Sequence, residues 1–372
     1  MPDYTGSNVY TRIGARPTIN AAGNITLWGG STPSPVVQEA MDEASMCFVE
    51  MAELFEKSGE HIADLLDVEA AYVTSGCYAA LVLSTAACIT GNDSEKRAQL
   101  PDTEGLPSQV LIQKKQRYGY DRSYTVPGSS LIEVGDDNGT TPEQLEEAIG
   151  PETAAVAFLI RPNPDPDLVP IEQVVEIAHK HDVPVIADAA AQIYPLDYLR
   201  GNAQCADLVC FGGKYMHAPH STGFLCGKKE LVDAAREHGL AGPRPLGRGM
   251  KIDRQEIIGL VAALDHWASM DHDARLDGYR KIYATVQKAL ENTSAVQETE
   301  IVTTDGYWVL DLHVVLDPDG KDAKQIAEDL GNGTPRIRIN TQRKNTLVIR
   351  ANNLGEGDEH IVAEKIQNAL DS

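Results

Sequence analysis

Asp207-Leu-Val-Cys-Phe-Gly-Gly-Lys214 is a short apolar run that breaks at two glycines and delivers a lysine. Upstream, Val183-Pro-Val-Ile-Ala-Asp-Ala-Ala190 is a second apolar run, and it delivers an aspartate. Continuous rather than alternating hydrophobicity marks strands buried on both faces. An acid at the end of one such strand and a lysine at the end of a later one suit pyridoxal phosphate chemistry. The lysine amine attaches to the cofactor, and the carboxylate keeps the pyridine nitrogen protonated so that the ring accepts electrons. Each residue alone has a plainer reading: a buried aspartate can cap or pair, and most lysines are solvated.

Strands and helices alternate around these runs. Ala70-Ala-Tyr-Val-Thr-Ser-Gly76 reads as a short approach strand or turn, and Ala79-Ala-Leu-Val-Leu-Ser-Thr-Ala-Ala-Cys-Ile89 as a buried helix. Thr141-Pro-Glu-Gln144 is a helix start, with a threonine cap, proline at the first helical position and glutamine placed for a capping box. Ala154–Ile160 is a buried strand and Ile171–His181 an amphipathic helix. The alternation from about 70 to 230 predicts an α/β fold, a mostly parallel sheet covered on both faces, with active groups at the strands' carboxyl ends.

Outside that region, helical periodicity runs from Pro35 through Met51 and resumes to Leu66, while 92–108 reads as polar and irregular. Helices are expected at Arg254–Met270, Tyr279–Leu290, Ala323–Leu330 and 358–370, with strands at Tyr307–Val315, Ile337–Ile339 and Thr346–Ile349. The resulting division is an N-terminal arm and helix over 1–55, a large domain over 56–248 and a smaller α+β C-terminal domain over 249–372.

Composition narrows the function classes. The 372 residues are 42% hydrophobic, enough for a large core. A net charge of -23 argues against a general nucleic-acid surface, which needs a positive footprint. The six cysteines (47, 77, 88, 205, 210, 226) contain no C-x-x-C pair and read as reduced, mostly core residues, with no metal site. The most hydrophobic stretch, Ala79–Ile89, is too short to span a bilayer, and the first residues lack signal-peptide character. A soluble cytoplasmic protein with no membrane partner is expected.

Thr74-Ser75-Gly76-Cys77 precedes the Ala79 helix, where backbone N–H groups and the Ser75 hydroxyl make a phosphate cradle; a merely capped helix start is the plainer reading. Ala189 and Ala190 are small enough for a planar ring to lie against the backbone. Gly212 and Gly213 permit close cofactor approach, and Ser221-Thr222-Gly223 offers two further hydroxyls for phosphate or a plain surface turn.

The chain resembles the selenocysteine synthase-like group of fold-type I pyridoxal phosphate enzymes, in the shorter branch related to D-glucosaminate-6-phosphate ammonia-lyase. The matching pieces include Arg16-Pro-Thr-Ile-Asn-Ala-Ala-Gly23, Glu69–Gly76, Pro184–Ala191, Ala206–Lys214, Thr222–Lys228, Gly247-Arg-Gly-Met-Lys251 and Glu256-Ile-Ile-Gly-Leu260. The resemblance implies Lys214 as the cofactor-bearing lysine, Asp188 as partner of the ring nitrogen, and Ser75, Gly76 and Cys77 in the phosphate turn. It also implies a homo-oligomer, with the arm around Asn20–Gly30 near a site.

Departures from that group are equally informative. Phe211 stands where relatives tend to have serine, and Gln116-Arg117 where they tend to have His-Arg before a Tyr-Asp pair. Gln116 therefore takes the position expected to cover the cofactor ring, unless Tyr118 or Tyr120 substitutes. His217 and His220 replace an expected arginine and glutamine, and neither supplies arginine's permanent charge.

Among Arg117, Arg248, Arg336 and Arg350, Arg248 is the expected grip on a substrate carboxylate, with Arg117 beside it and His217 orienting a hydroxyl or second acidic group. The expected function is an ammonia-lyase acting by α,β-elimination on a small hydroxy amino acid or amino sugar acid without a phosphoryl group. An amino-acid racemase or epimerase is the alternative, and a non-enzymatic interaction protein is the rival class.

Overall fold

In the computed structural model, residues 4, 6–240, 242, 244–303 and 310–371 are described. They fall into two compact units: Pro33–Ala268, and Met1–Thr32 together with Ser269–Ser372. The chain's first strand, β1 (Thr18–Asn20), belongs to the second of these.

The Pro33–Ala268 unit begins with helices α1 (Pro35–Ser45) and α2 (Met51–Leu66). The periodicity predicted α1 to run on to Met51, but it stops at Ser45. Arg254 accounts for the stop: its guanidinium donates to the carbonyls of Ala44, Ser45 and Cys47, taking over acceptors that another helical turn would have used. Next come β2 (Ala70–Thr74), α3 (Cys77–Thr90) and α4 (Ser94–Gln99). Helix α4 lies in the stretch read as irregular. Asp93 caps it, accepting from the Glu95 and Lys96 amides at 2.9 and 3.2 Å.

The unit continues with β3 (Gln109–Gln113), β4 (Ser130–Val134), α5 (Pro142–Ala148), β5 (Thr153–Leu159), α6 (Ile171–His179) and β6 (Val185–Asp188). It closes with α7 (Leu196–Ala203), β7 (Leu208–Gly212), β8 (Gly223–Gly227), α8 (Lys229–His238) and α9 (Arg254–Ser269). The capping box at Thr141 forms with both of its reciprocal bonds.

Seven strands make one sheet in the order β2-β8-β7-β6-β5-β3-β4. All run in one direction except β8, which opposes both neighbours. Eleven of the fourteen residues of α3 are buried, so this helix is apolar on every side and packs inside the unit. The β6–β7 register sets Asp188 opposite Cys210, and the pairing continues past the end of β6, where the Gly212 N–H of β7 donates to the Ala190 carbonyl at 3.0 Å. The two chemistry-bearing ends therefore lie side by side.

The other unit adds α10 (His272–Leu290), β9 (Val296–Thr303), β10 (Leu310–Leu316) and α11 (Ala323–Asn332). It ends with β11 (Arg336–Arg338), β12 (Asn340–Gln342), β13 (Thr346–Arg350) and α12 (Asp358–Asp371). Its antiparallel sheet has the order β12-β13-β10-β9, and β1 pairs in parallel with β11. Residues 307–309 of the expected Tyr307 strand lie outside the described residues.

Two boundaries differ from those expected from sequence. Ile19 and Ala21 are buried in the core of the unit that holds the C-terminal segment, so the first 32 residues group there. Helix α9 groups instead with the seven-stranded sheet, where Trp267 donates to the Ile193 carbonyl at 2.9 Å.

Candidate active site

Asp188 ends β6 and is 4% exposed. Its Oδ1 accepts from the Ala190 amide at 3.0 Å and the Cys77 thiol at 3.5 Å, while Oδ2 accepts from the Tyr118 hydroxyl at 2.5 Å. All three donors are neutral. Burial pushes the Asp188 pKa up, and the three hydrogen bonds only partly oppose it.

Lys214 follows the Gly212–Gly213 break in a short 3-10 turn, Gly213–Met216, with its ammonium 5.1 Å from the Tyr215 ring centre. Burial lowers its pKa, while the nearby Cys77 thiol opposes that shift. The glycine is a packing requirement here: a Cβ on Gly213 would fall 2.2 Å from Thr222 Oγ1 and 2.8 Å from Leu260 Cδ1. Burial and the Lys214 charge lower the pKa of His220, whose Nδ1 is buried without a hydrogen-bond partner.

Ser75 and Gly76 turn the chain from β2 into α3. Gly76 has φ +87°, a left-handed conformation that favours glycine. Cys77 opens the helix, so the first amides of α3 face the turn as an anion-binding end. β8 packs hard against this turn; a Cβ on Gly223 would come within 2.7 Å of Cys77 N. The Ser75 hydroxyl donates to the Met250 carbonyl at 2.7 Å, which fastens the 3-10 turn Leu246–Met250, and with it Arg248, to the start of α3. Arg248 is exposed and takes part in none of the ion pairs among the described residues.

Several expected site residues are engaged elsewhere. Arg117 bonds Asp121 at 2.5 Å and also Glu133, so its guanidinium is committed to carboxylates of its own neighbourhood. Gln116 is buried and brackets the Leu159 backbone, donating to the carbonyl at 3.2 Å and accepting from the amide at 3.3 Å. That bracketing fixes the amide as a β5 clamp; the aromatic that reaches Asp188 is Tyr118. The Thr222 hydroxyl turns inward onto the Pro219 carbonyl at 2.8 Å. His217 sits in the left-handed region at φ 57°, and its carbonyl accepts from the Ser34 amide. Arg350 forms a two-pronged pair with buried Asp311 at 2.9 and 3.0 Å.

Tyr124 was missed from sequence. It is 1% exposed, and its pKa is driven well up by burial and then by the charge of Asp188. The only available signal was the tyrosine repetition Tyr118-Gly-Tyr120-Asp121-Arg-Ser-Tyr124.

Pyridoxal phosphate fits these residues. A buried carboxylate held only by neutral donors matches a protonated ring nitrogen, and a lysine with a depressed pKa stands at the end of the adjacent strand. The turn before α3 presents amides suited to phosphate.

Comparison with known proteins agrees with this chemistry. The class-V aminotransferase family matches residues 43–245. D-glucosaminate-6-phosphate ammonia lyase of Salmonella typhimurium is 33% identical over 267 residues, 70% of each chain. A 5'-C-glycyluridine monooxygenase-decarboxylase of Streptomyces is 28% identical over 346 residues, covering 90% of this chain and 85% of the other. The solved structure of a D-glucosaminate-6-phosphate ammonia-lyase superposes with a TM-score of 0.86 at 26% identity, over 98% of both chains. The non-enzymatic reading is thereby set aside: the chain belongs to the class-V aminotransferase family, as a fold-type I pyridoxal-phosphate-dependent enzyme akin to D-glucosaminate-6-phosphate ammonia-lyase.

Proposed function

We propose that this protein is a lyase that releases ammonia by α,β-elimination from a small hydroxy amino acid or amino sugar acid. The observation that carries the reading is that Asp188 ends β6 and Lys214 follows directly on its neighbour β7, in a chain akin to an ammonia-lyase. When bound, pyridoxal phosphate supplies an aldehyde that captures the substrate amine and a protonated ring that takes up the charge left at Cα.

The protein's own residues do the rest. Lys214 Nζ, once released from the cofactor, accepts the Cα proton, a task suited to an amine whose pKa burial has lowered. Asp188 holds the proton on the ring nitrogen, while Tyr118, Ala190 and Cys77 hold Asp188. The start of α3 with Ser75, Gly76 and Cys77 receives the cofactor phosphate. Arg248 grips the substrate carboxylate and so fixes which Cα bond stands ready to break. His217 orients the β-hydroxyl that leaves.

The substrate is proposed to lack a phosphoryl group at this site. Burial and the Lys214 charge favour the neutral form of His220, which lacks the permanent charge that arginine would offer a phosphate. The protein is further proposed to work as a cytoplasmic homo-oligomer; no helix among the described residues is long and apolar enough to cross a membrane.

The test is a screen of D- and L-amino acids and amino sugar acids, with and without phosphate, following ammonia, keto acid, chirality and oxygen uptake together. Ammonia and keto acid in equal amounts are expected. Racemisation without ammonia would overturn the lyase reading in favour of a racemase or epimerase, and oxygen uptake with carbon dioxide release would favour chemistry like that named for the Streptomyces relative.

A further inference from the structure

The two oxygens of a carboxylate such as Asp188 offer about four lone-pair sites between them. The Ala190 amide and the Cys77 thiol donate to Oδ1, and the Tyr118 hydroxyl donates to Oδ2. By that count the ring N–H of pyridoxal phosphate, when bound, shares Oδ2 with Tyr118. Among the described residues no ion pair involves Asp188. Cys77, Tyr118, Tyr124 and Cys210 around it have pKa values raised, first of all by burial, and stay neutral. Lys214, the nearby cation, acts on the Cys77 thiol and is the amine that attaches to the cofactor. Burial thus pushes Asp188 toward its neutral form. One proton then has two homes: carboxylate beside a protonated ring nitrogen, or carboxylic acid beside a bare one. Only the first makes the ring a full acceptor for the charge left at Cα.

We propose that the Tyr118 hydroxyl decides between these two states, holding Asp188 ionised so that the shared proton stays on the ring nitrogen. A hydrogen bond to an ionised acceptor is roughly twice as strong as one between neutral groups. Donation to Oδ2 therefore stabilises the carboxylate more than the carboxylic acid. Of the three donors, the Cys77 thiol is weak and the Ala190 amide is backbone, so Tyr118 is the side chain that sets the balance. Tyr118 is a positioning residue here, acting through Asp188.

The hydroxyl is aimed from both ends of the residue. The Tyr118 amide donates to Asp121 Oδ2 at 3.1 Å, and Asp121 is 7% exposed and held in turn by Arg117 at 2.5 Å. The Tyr118 ring meets the Tyr120 ring edge-on, with centroids 6.3 Å apart and planes at 68°. Backbone and ring are both fixed, so the hydroxyl reaches Oδ2 with little freedom left to lose. The neighbours in sequence cannot replace it, because Gln116 brackets Leu159 and Arg117 is committed to Asp121 and Glu133.

The inference rests on pyridoxal phosphate as the cofactor and not on which reaction follows, so its test needs no turnover. The full-length protein is loaded with pyridoxal phosphate isotopically labelled at the ring nitrogen, and that resonance is read by solid-state NMR. Asp188→Asn, which cannot ionise, marks the unprotonated limit, and the parent is expected at the protonated one. Tyr118→Phe keeps the aromatic ring and loses only the hydroxyl. Its resonance should move toward that of Asp188→Asn, reporting a proton partition shifted roughly tenfold or more. Cys77→Ala removes the weaker donor and should move it the same way by less. Tyr120→Phe keeps the edge-on ring contact and should leave it in place. A Tyr118→Phe resonance that coincides with the parent's, or a Tyr120→Phe resonance displaced as far, would overturn the proposal. So would a parent already at the Asp188→Asn limit. Borohydride reduction of the same samples separates two failures. A pyridoxyl adduct on Lys214 with an unmoved resonance sinks the role of Tyr118 alone, whereas no adduct in the parent sinks the cofactor assignment with it.

Discussion

The Tyr118 hydroxyl donates to Asp188 Oδ2 at 2.5 Å, across 70 residues of sequence, and makes that carboxylate part of a buried polar cluster. Asp188 has a pKa raised by burial, so the folded protein favours its neutral form more than the unfolded chain does. The penalty for charging it is absent below the ordinary carboxylate pKa, grows between that value and the raised one, and is complete above it.

Cofactor-free Asp188→Asn is therefore expected to melt at a higher temperature than the parent at pH 7, with the gain fading as pH falls toward about 4. Tyr118→Phe removes a donor to the charged form and should extend the upper end of that window to higher pH. Thermal melts of the two variants and the parent over this range check the assignment; a gain for Asp188→Asn that persists unchanged at low pH would contradict it.

Lys214 should be the amine that reacts at the lowest pH. Burial lowers its pKa, whereas Lys57 and Lys114 have theirs raised by hydrogen bonds to Glu60 and Asp137. Competitive acetylation of the cofactor-free protein, read by mass spectrometry, should label Lys214 ahead of both. Borohydride reduction of the loaded protein should place the pyridoxyl group on Lys214, and Lys214→Ala should abolish that adduct. An adduct on another lysine would reject the site.

Arg248 and Arg117 should separate cleanly in kinetics. Arg248→Ala is expected to raise KM for a carboxylate substrate by roughly 10- to 100-fold, the worth of a charge-assisted hydrogen bond, with the cofactor spectrum retained. Arg117→Gln, which breaks contacts to Asp121 and Glu133, should leave KM within about twofold. Equal effects of the two would return Arg117 to the substrate.

Arg350 is expected to matter for stability. Its removal strands Asp311, which is 2% exposed, as an unpaired buried carboxylate. Arg350→Ala should cost about 3–5 kcal/mol, and adding Asp311→Asn should recover part of it. Chemical denaturation of the single and double variants measures both.

The sequence by itself determined the strand ends that carry Asp188 and Lys214, because a strand buried on both faces must be continuously apolar and stops where a charge or a glycine pair appears. It also determined the buried α3 and the capping box at Thr141, since both are written in contiguous residues. The roles of Gln116, Arg117 and Tyr118 were not legible there. These three are consecutive residues, yet Gln116 turns to Leu159, Arg117 to Asp121 and Glu133, and Tyr118 to Asp188. Apart from Asp121, four positions on, their partners arrive from β4, β5 and β6, up to 70 positions away. Polar side chains choose among partners by distance and burial, and those exist only once the sheet has assembled. The grouping of residues 1–32 with the C-terminal segment has the same origin: Ile19 and Ala21 join a core whose other members come from after residue 280.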